Sequence, residues 1–71
     1  MSKYEPLWKY IKEKNMETIK LSYDKIKDIL GFDIDHSFLT YKKELKEYDF
    51  EVKKISMKEK YVIFKNMNFN K

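Results

Sequence analysis

The sequence predicts an α+β fold, and three observations do so. Apolar residues recur with the helical period over residues 4–14, 23–30 and 36–48, and with the strand period of two over residues 17–21, 50–57 and 61–65. The only glycine, Gly31, follows the second helical stretch, where a helix end needs a residue at positive φ. Hydrophobic residues make up 42% of the chain and aromatics 17%, a composition that builds a core. The 71 residues fit one domain, 1–71, with an ordered body expected over about 4–65. A chain of this length buries only roughly 60% of its unfolded surface, so its stability is marginal.

The first helix is read in YEPLWKYIKEK. Tyr4, Leu7, Trp8 and Ile11 share one face, Pro6 suits the first turn, and Asn15 ends it. Trp8 on that face is a core anchor rather than a stacking surface for a ligand. ETIKL alternates, with Ile19 and Leu21 inward, as a short half-buried strand. Ser22 is the N-cap of the second helix, and Asp24 lies in its favourable first turn. Tyr23, Ile26, Ile29 and Leu30 line that helix, Gly31 closes it, and Phe32 folds back on its last turn. Asp33 or Asp35 caps the third helix.

The third helix is expected to run as one amphipathic α-helix through HSFLTYKKELKEY. Phe38, Tyr41, Leu45 and Tyr48 form its inner stripe, and His36, Thr40, Lys43 and Glu47 its outer one. In FEVKKISM, Phe50 and Val52 are in one phase and Ile55 and Met57 in the other. The slip at Lys53 and Lys54 predicts a bulge. YVIFK is the last strand, with Val62 and Phe64 inward, and SMKEK is a hairpin loop longer than a two-residue turn.

The element order is therefore α-β-α-α-β-β. A helix pair joined by a short turn and followed by a β-hairpin is the order of a winged helix-turn-helix, with three helices and a small three-stranded antiparallel sheet. Charge follows the same division. Residues 1–35 carry seven lysines and seven acids, whereas residues 36–71 carry nine lysines and five acids, so the net +4 lies in the second half. That half holds the expected recognition helix and wing. A basic face suggests an anionic partner, with duplex DNA first. All sixteen basic residues are lysines, which hold phosphates as point charges and cannot fork onto a base edge as arginine does.

The pattern formed by Tyr4, Pro6, Leu7, Tyr10 and Ile11 resembles the start of an uncharacterised bacterial family of small domains. LSYDKIKDILGFDIDHS is similar to the same family, through Ile26, Ile29, Leu30, Gly31, Phe32 and Ser37. The resemblance spans about residues 4–41. The family carries a pair of tryptophans once the third helix has begun, and this chain has none there. The resemblance implies a winged-helix-like fold and carries no activity with it.

Catalytic chemistry has little to work with. His36 is the only histidine and no cysteine is present, so neither thiolate chemistry nor a disulfide is available. Asp33, Asp35 and His36 read as a helix cap more readily than as a metal site. A lone glycine makes no phosphate loop. No enzyme activity, cofactor or metal is expected. No apolar run approaches the ~20 residues of a membrane span, and the N-terminus is too charged for a signal peptide. A cytoplasmic address is the expectation.

Two functions compete. In the first, the domain binds duplex DNA. His36 and Thr40 face base edges, and Lys42, Lys43 and Lys46 lie on the recognition helix, with Lys43 and Lys46 on phosphates. Lys53, Lys54, Lys58 and Lys60 hold flanking backbone from the wing. In the second, the same fold docks a protein through Leu39, Met57, Met67 and Phe69. A homodimer is compatible with both. A continuous lysine stripe over the third helix and wing favours DNA. Acids interrupting that stripe, with Leu39 in an apolar patch, favour a protein partner.

Overall fold

In the computed structural model, which describes residues 3–68, the order is α1 (Glu5–Lys14), β1 (Thr18–Ser22), α2 (Tyr23–Leu30) and α3 (Ser37–Tyr41). A 3-10 helix (Lys42–Tyr48), β2 (Phe50–Ser56) and β3 (Tyr61–Asn66) follow. The helical segments and a three-stranded antiparallel sheet make an α+β domain. The strand order is β1-β3-β2, so the last strand lies in the middle.

Local chemistry sets the boundaries. Asn15, at φ 47°, ends α1 in the left-handed region, and its N–H donates to the Ile11 carbonyl. The Ser22 hydroxyl accepts from the Lys25 N–H, as an N-cap should. Gly31 stands at φ 84° and its N–H closes on the Lys27 carbonyl at 2.6 Å, the left-handed cap expected of it. The N-cap of α3 is His36 rather than Asp33 or Asp35, and Asp35, one residue before it, accepts from the Ser37 N–H at 2.9 Å.

One expectation is overturned. The third helix does not run to residue 48 as an α-helix. It is α-helical for five residues and then tightens into the 3-10 form for seven. A period of three lines up Lys42, Leu45 and Tyr48, which are half-buried, buried and half-buried. Tyr41, placed on the inner stripe by the α-helical period, is instead 38% exposed. Two contacts hold the tighter winding. The Trp8 indole Nε1–H donates to Glu44 Oε1 at 2.9 Å, and Asp49, at φ 66°, ends the segment with its N–H on the Leu45 and Lys46 carbonyls.

In the hairpin, Val52 pairs with Phe64 and Lys54 with Ile63, so Lys53 is the extra residue of the expected bulge. Both phases of β2 thereby reach one face. The loop of residues 57–60 turns without glycine because the Ser56 hydroxyl accepts from the Glu59 N–H and Lys60 takes φ 58°. Met57 lies in this loop, as the reading of SMKEK expects, and is 78% exposed.

The core is one cluster. Tyr4, Leu7, Trp8 and Ile11 from α1 meet Ile26, Phe38 and Leu45, and Ile19, Leu21, Phe50, Val62 and Phe64 from the sheet. Trp8 is 1% exposed, as its place on the apolar face predicts. Only one face of the sheet belongs to this cluster; Thr18, Lys20, Lys54 and Lys65 on the other are exposed.

Candidate functional site

The site begins with a joint between α1 and α3. Tyr4 is fully buried, yet its hydroxyl lies 2.8 Å from Ser37 Oγ and 3.3 Å from Asp35 Oδ1. Ser37 also donates from its hydroxyl to Asp35 Oδ1. These donors hold the Asp35 carboxyl below its ordinary range. The Ser37 hydroxyl and N–H have the largest influence and outweigh the opposing desolvation, with the Lys3 charge and then the Tyr4 hydroxyl adding smaller lowering effects. Lys3 Nζ stands 3.7 Å from Asp35 Oδ2 and 5.1 Å from the Phe32 ring centre. The start of α3 is thus pinned, and its outward side chains have a fixed place.

Beside that joint runs an open groove of about 340 Å³ between the start of α3 and the end of β2. Tyr23, Ile34, Phe38, Leu39, Ile55 and Met57 line it, with Asp35 and His36 as its polar edge. Leu39 is 50% exposed and Met57 78%. Both were singled out in the sequence as contact residues, and the structure brings them to one groove. Met67, 46% exposed, lies outside its lining, and Phe69 lies outside the described residues. Tyr23, Ile34 and Ile55 were not singled out; each reads in sequence as ordinary helix, loop or strand packing.

The lysines divide into separate groups. Lys42, Lys43 and Lys46 line one shallow recess of about 210 Å³ together with Glu51 and Val52. Lys58 and Lys60 stand in the loop at the far end of the hairpin. Lys53 and Lys54, expected in the wing, lie within β2 at the bulge. Lys54 faces outward, 5.9 Å from the Tyr61 ring centre. His36 and Thr40 are exposed, His36 at the groove and Thr40 on α3 outside its lining. Lys60 contributes its backbone as well, its carbonyl accepting from the Tyr23 N–H at 2.9 Å.

Glu44, an acid on the expected recognition helix, is half-buried and turned towards Trp8. Glu51 is the acid that stands among the helix lysines. Among the described residues no group of three or more His, Cys, Asp or Glu side chains is placed to hold a metal. No helix among them is long and apolar enough to cross a membrane. Compared with family models, with curated proteins and with solved structures, the chain matches none.

Proposed function

We propose that this chain is a non-enzymatic interaction domain of winged-helix type, whose groove between α3 and β2 receives apolar side chains of a partner protein. The element order α-β-α-α-β-β and the strand order β1-β3-β2 support the winged-helix reading. One observation carries the docking reading. Leu39 and Met57, two of the most exposed large apolar residues described, stand together over half-buried Tyr23, Ile34 and Ile55. Single exposed apolar residues are ordinary, but a grouped set lining a groove marks an interaction surface.

Duplex DNA is the second reading, favoured by Lys42, Lys43 and Lys46 sharing one recess. Two features weigh against it. The α-helical part of α3 has only about one and a half turns to offer a major groove. The start of α3, the end that reaches base edges in a helix-turn-helix, carries the apolar groove rather than lysines.

The test uses a displayed peptide library selected against the whole chain and against Leu39→Asp/Met57→Asp. The proposal expects peptides with clustered apolar residues on the wild type, lost with the double variant at an unchanged melting temperature. Chemical-shift changes on peptide addition should centre on Leu39, Ile55 and Met57. Failure to enrich peptides defeats the proposal. Duplex binding in fluorescence anisotropy that weakens on Lys43→Ala/Lys46→Ala, with the salt slope flattened by about 2, establishes the DNA reading in its place. Self-association abolished by Leu39→Asp makes the occupant a second copy of the chain and also overturns the proposal.

A further inference from the structure

A second surface lies on the opposite side of the molecule from the core. The register places Lys20, Ile63 and Lys54 in one row across the outer face of the sheet, and Ser22, Tyr61 and Ser56 in the next. Thr18, Lys65 and Glu51 form the third. Tyr61 and Ile63 belong to the central strand and are half-buried, while Lys20, Lys54 and Lys65 are exposed around them. Lys20 Nζ stands 4.3 Å from the Tyr61 ring centre and Lys54 Nζ 5.9 Å from it. Tyr61 also borders a cleft of about 460 Å³ lined by Lys20, Ser22, Lys25, Glu59 and Lys60.

We propose that this face binds single-stranded nucleic acid, with a base stacked on Tyr61 and the flanking phosphates held by Lys20, Lys54 and Lys60. An aromatic ring between cationic side chains, on the open face of a sheet, offers a base the stacking surface that single strands use. The lysine stems are long and their ammonium groups exposed, so a base can take the ring while the ammonium groups move to phosphates. A duplex keeps its bases stacked on one another and cannot present one face-on to Tyr61, so the geometry selects single strands. Charge complementarity supports the same occupant. Lys20, Lys25, Lys54 and Lys60 stand at the ring or its cleft and Lys65 two rows along the sheet, against Glu51 at that end and Glu59 at the other. With lysine the only cation, recognition is by phosphate and stacking and tolerates many sequences.

The experiment is fluorescence anisotropy of the whole chain with labelled oligothymidylate, oligouridylate and a duplex of equal length, titrated at several salt concentrations. The expected result is tighter binding to either single strand than to the duplex. Tyr61→Ala weakens it roughly tenfold or more, and Tyr61→Phe preserves it. Lys20→Ala/Lys54→Ala flattens the log–log salt slope by about 1.4, at about 0.7 per single-strand phosphate contact. Should Tyr61→Ala fail to fold, Lys20→Glu/Lys54→Glu, confined to exposed positions, must abolish binding at an unchanged melting temperature. Leu39→Asp/Met57→Asp leaves binding intact, which separates this surface from the groove. Duplex affinity equal to that for single strands, insensitivity to Tyr61→Ala in a folded variant, or no binding at low salt overturns the proposal.

Discussion

At the scale of single residues, Gly31 shows how far one position can be read. Its φ of 84° is a conformation that a β-branched residue adopts only with strain, while a Cβ built there meets nothing within 4 Å. The cost of substitution is therefore one of backbone conformation rather than of packing. Gly31→Val is expected to destabilise the domain by about 1 kcal/mol or more, and Gly31→Asn by less, because Asn tolerates the left-handed region. Chemical denaturation measures both, and equal midpoints for the three proteins would remove the cap from the account. Asp35 makes a different kind of prediction. Its folded pKa lies below the ordinary 3.8, so it contributes stability above that value and loses it as pH falls through the folded pKa. Wild type should lose melting temperature on acidification from about pH 6 to about pH 3 more steeply than Asp35→Asn does. Parallel curves would mean that the Ser37 and Tyr4 bonds do not depend on the ionised carboxylate.

At the scale of elements, legibility depended on whether one local signal decided the conformation. The N-cap at Ser22, the stop at Asn15, the bulge at Lys53 and the inward pair Val62 and Phe64 each follow from residues within a few positions. Residues 36–48 do not. Their apolar spacing suits an α-helix, but the winding of the second half answers to Trp8, thirty-six positions away from Glu44. That partner is invisible to any reading of local period. The same tertiary contact gives a test. Glu44→Ala removes the acceptor of a buried indole N–H and should cost about 1–3 kcal/mol, whereas Glu44→Gln keeps an acceptor and should cost less. If both variants melt with the wild type, the indole bond does not hold the 3-10 segment. The groove is a similar case. Leu39 and Met57 could be suspected from sequence as exposed apolar residues. Their meeting with Tyr23 and Ile34 depends on where the hairpin ends relative to the start of α3.

At the scale of the whole molecule, the lysines of the second half of the chain are spread along the length of β2. The lysines of residues 42–46 lie beside the beginning of β2, and those of the hairpin loop lie at its other end. A strand of this length separates them by roughly 20 Å. Lys20, Lys25 and Lys60 meet at that far end although Lys20 and Lys25 belong to the charge-balanced half. Net charge by sequence segment thus located the excess but not the surface, because antiparallel pairing of β1 with β3 carries the first half's lysines to the second half's hairpin.

The middle position of β3 also bears on how the chain is made. A ribosome delivers β1 and β2 before the strand that pairs with both, so each emerges without its one hydrogen-bonded neighbour in place. The sheet therefore assembles only when residues 61–66 have cleared the exit tunnel, and Ile19, Leu21 and Phe50 stay unsheltered until then. The end of that strand then fastens three other places. The Asn66 N–H reaches the Glu17 carbonyl, its side-chain amide reaches Asn15, and the Met67 N–H reaches the Asp49 carbonyl at 2.7 Å. Nascent chains stalled with β3 still inside the tunnel should be cut rapidly by a protease, and chains extended by a linker that frees β3 should resist it. Protection appearing before β3 emerges would show that the helices and β1 assemble without the strand that joins the sheet.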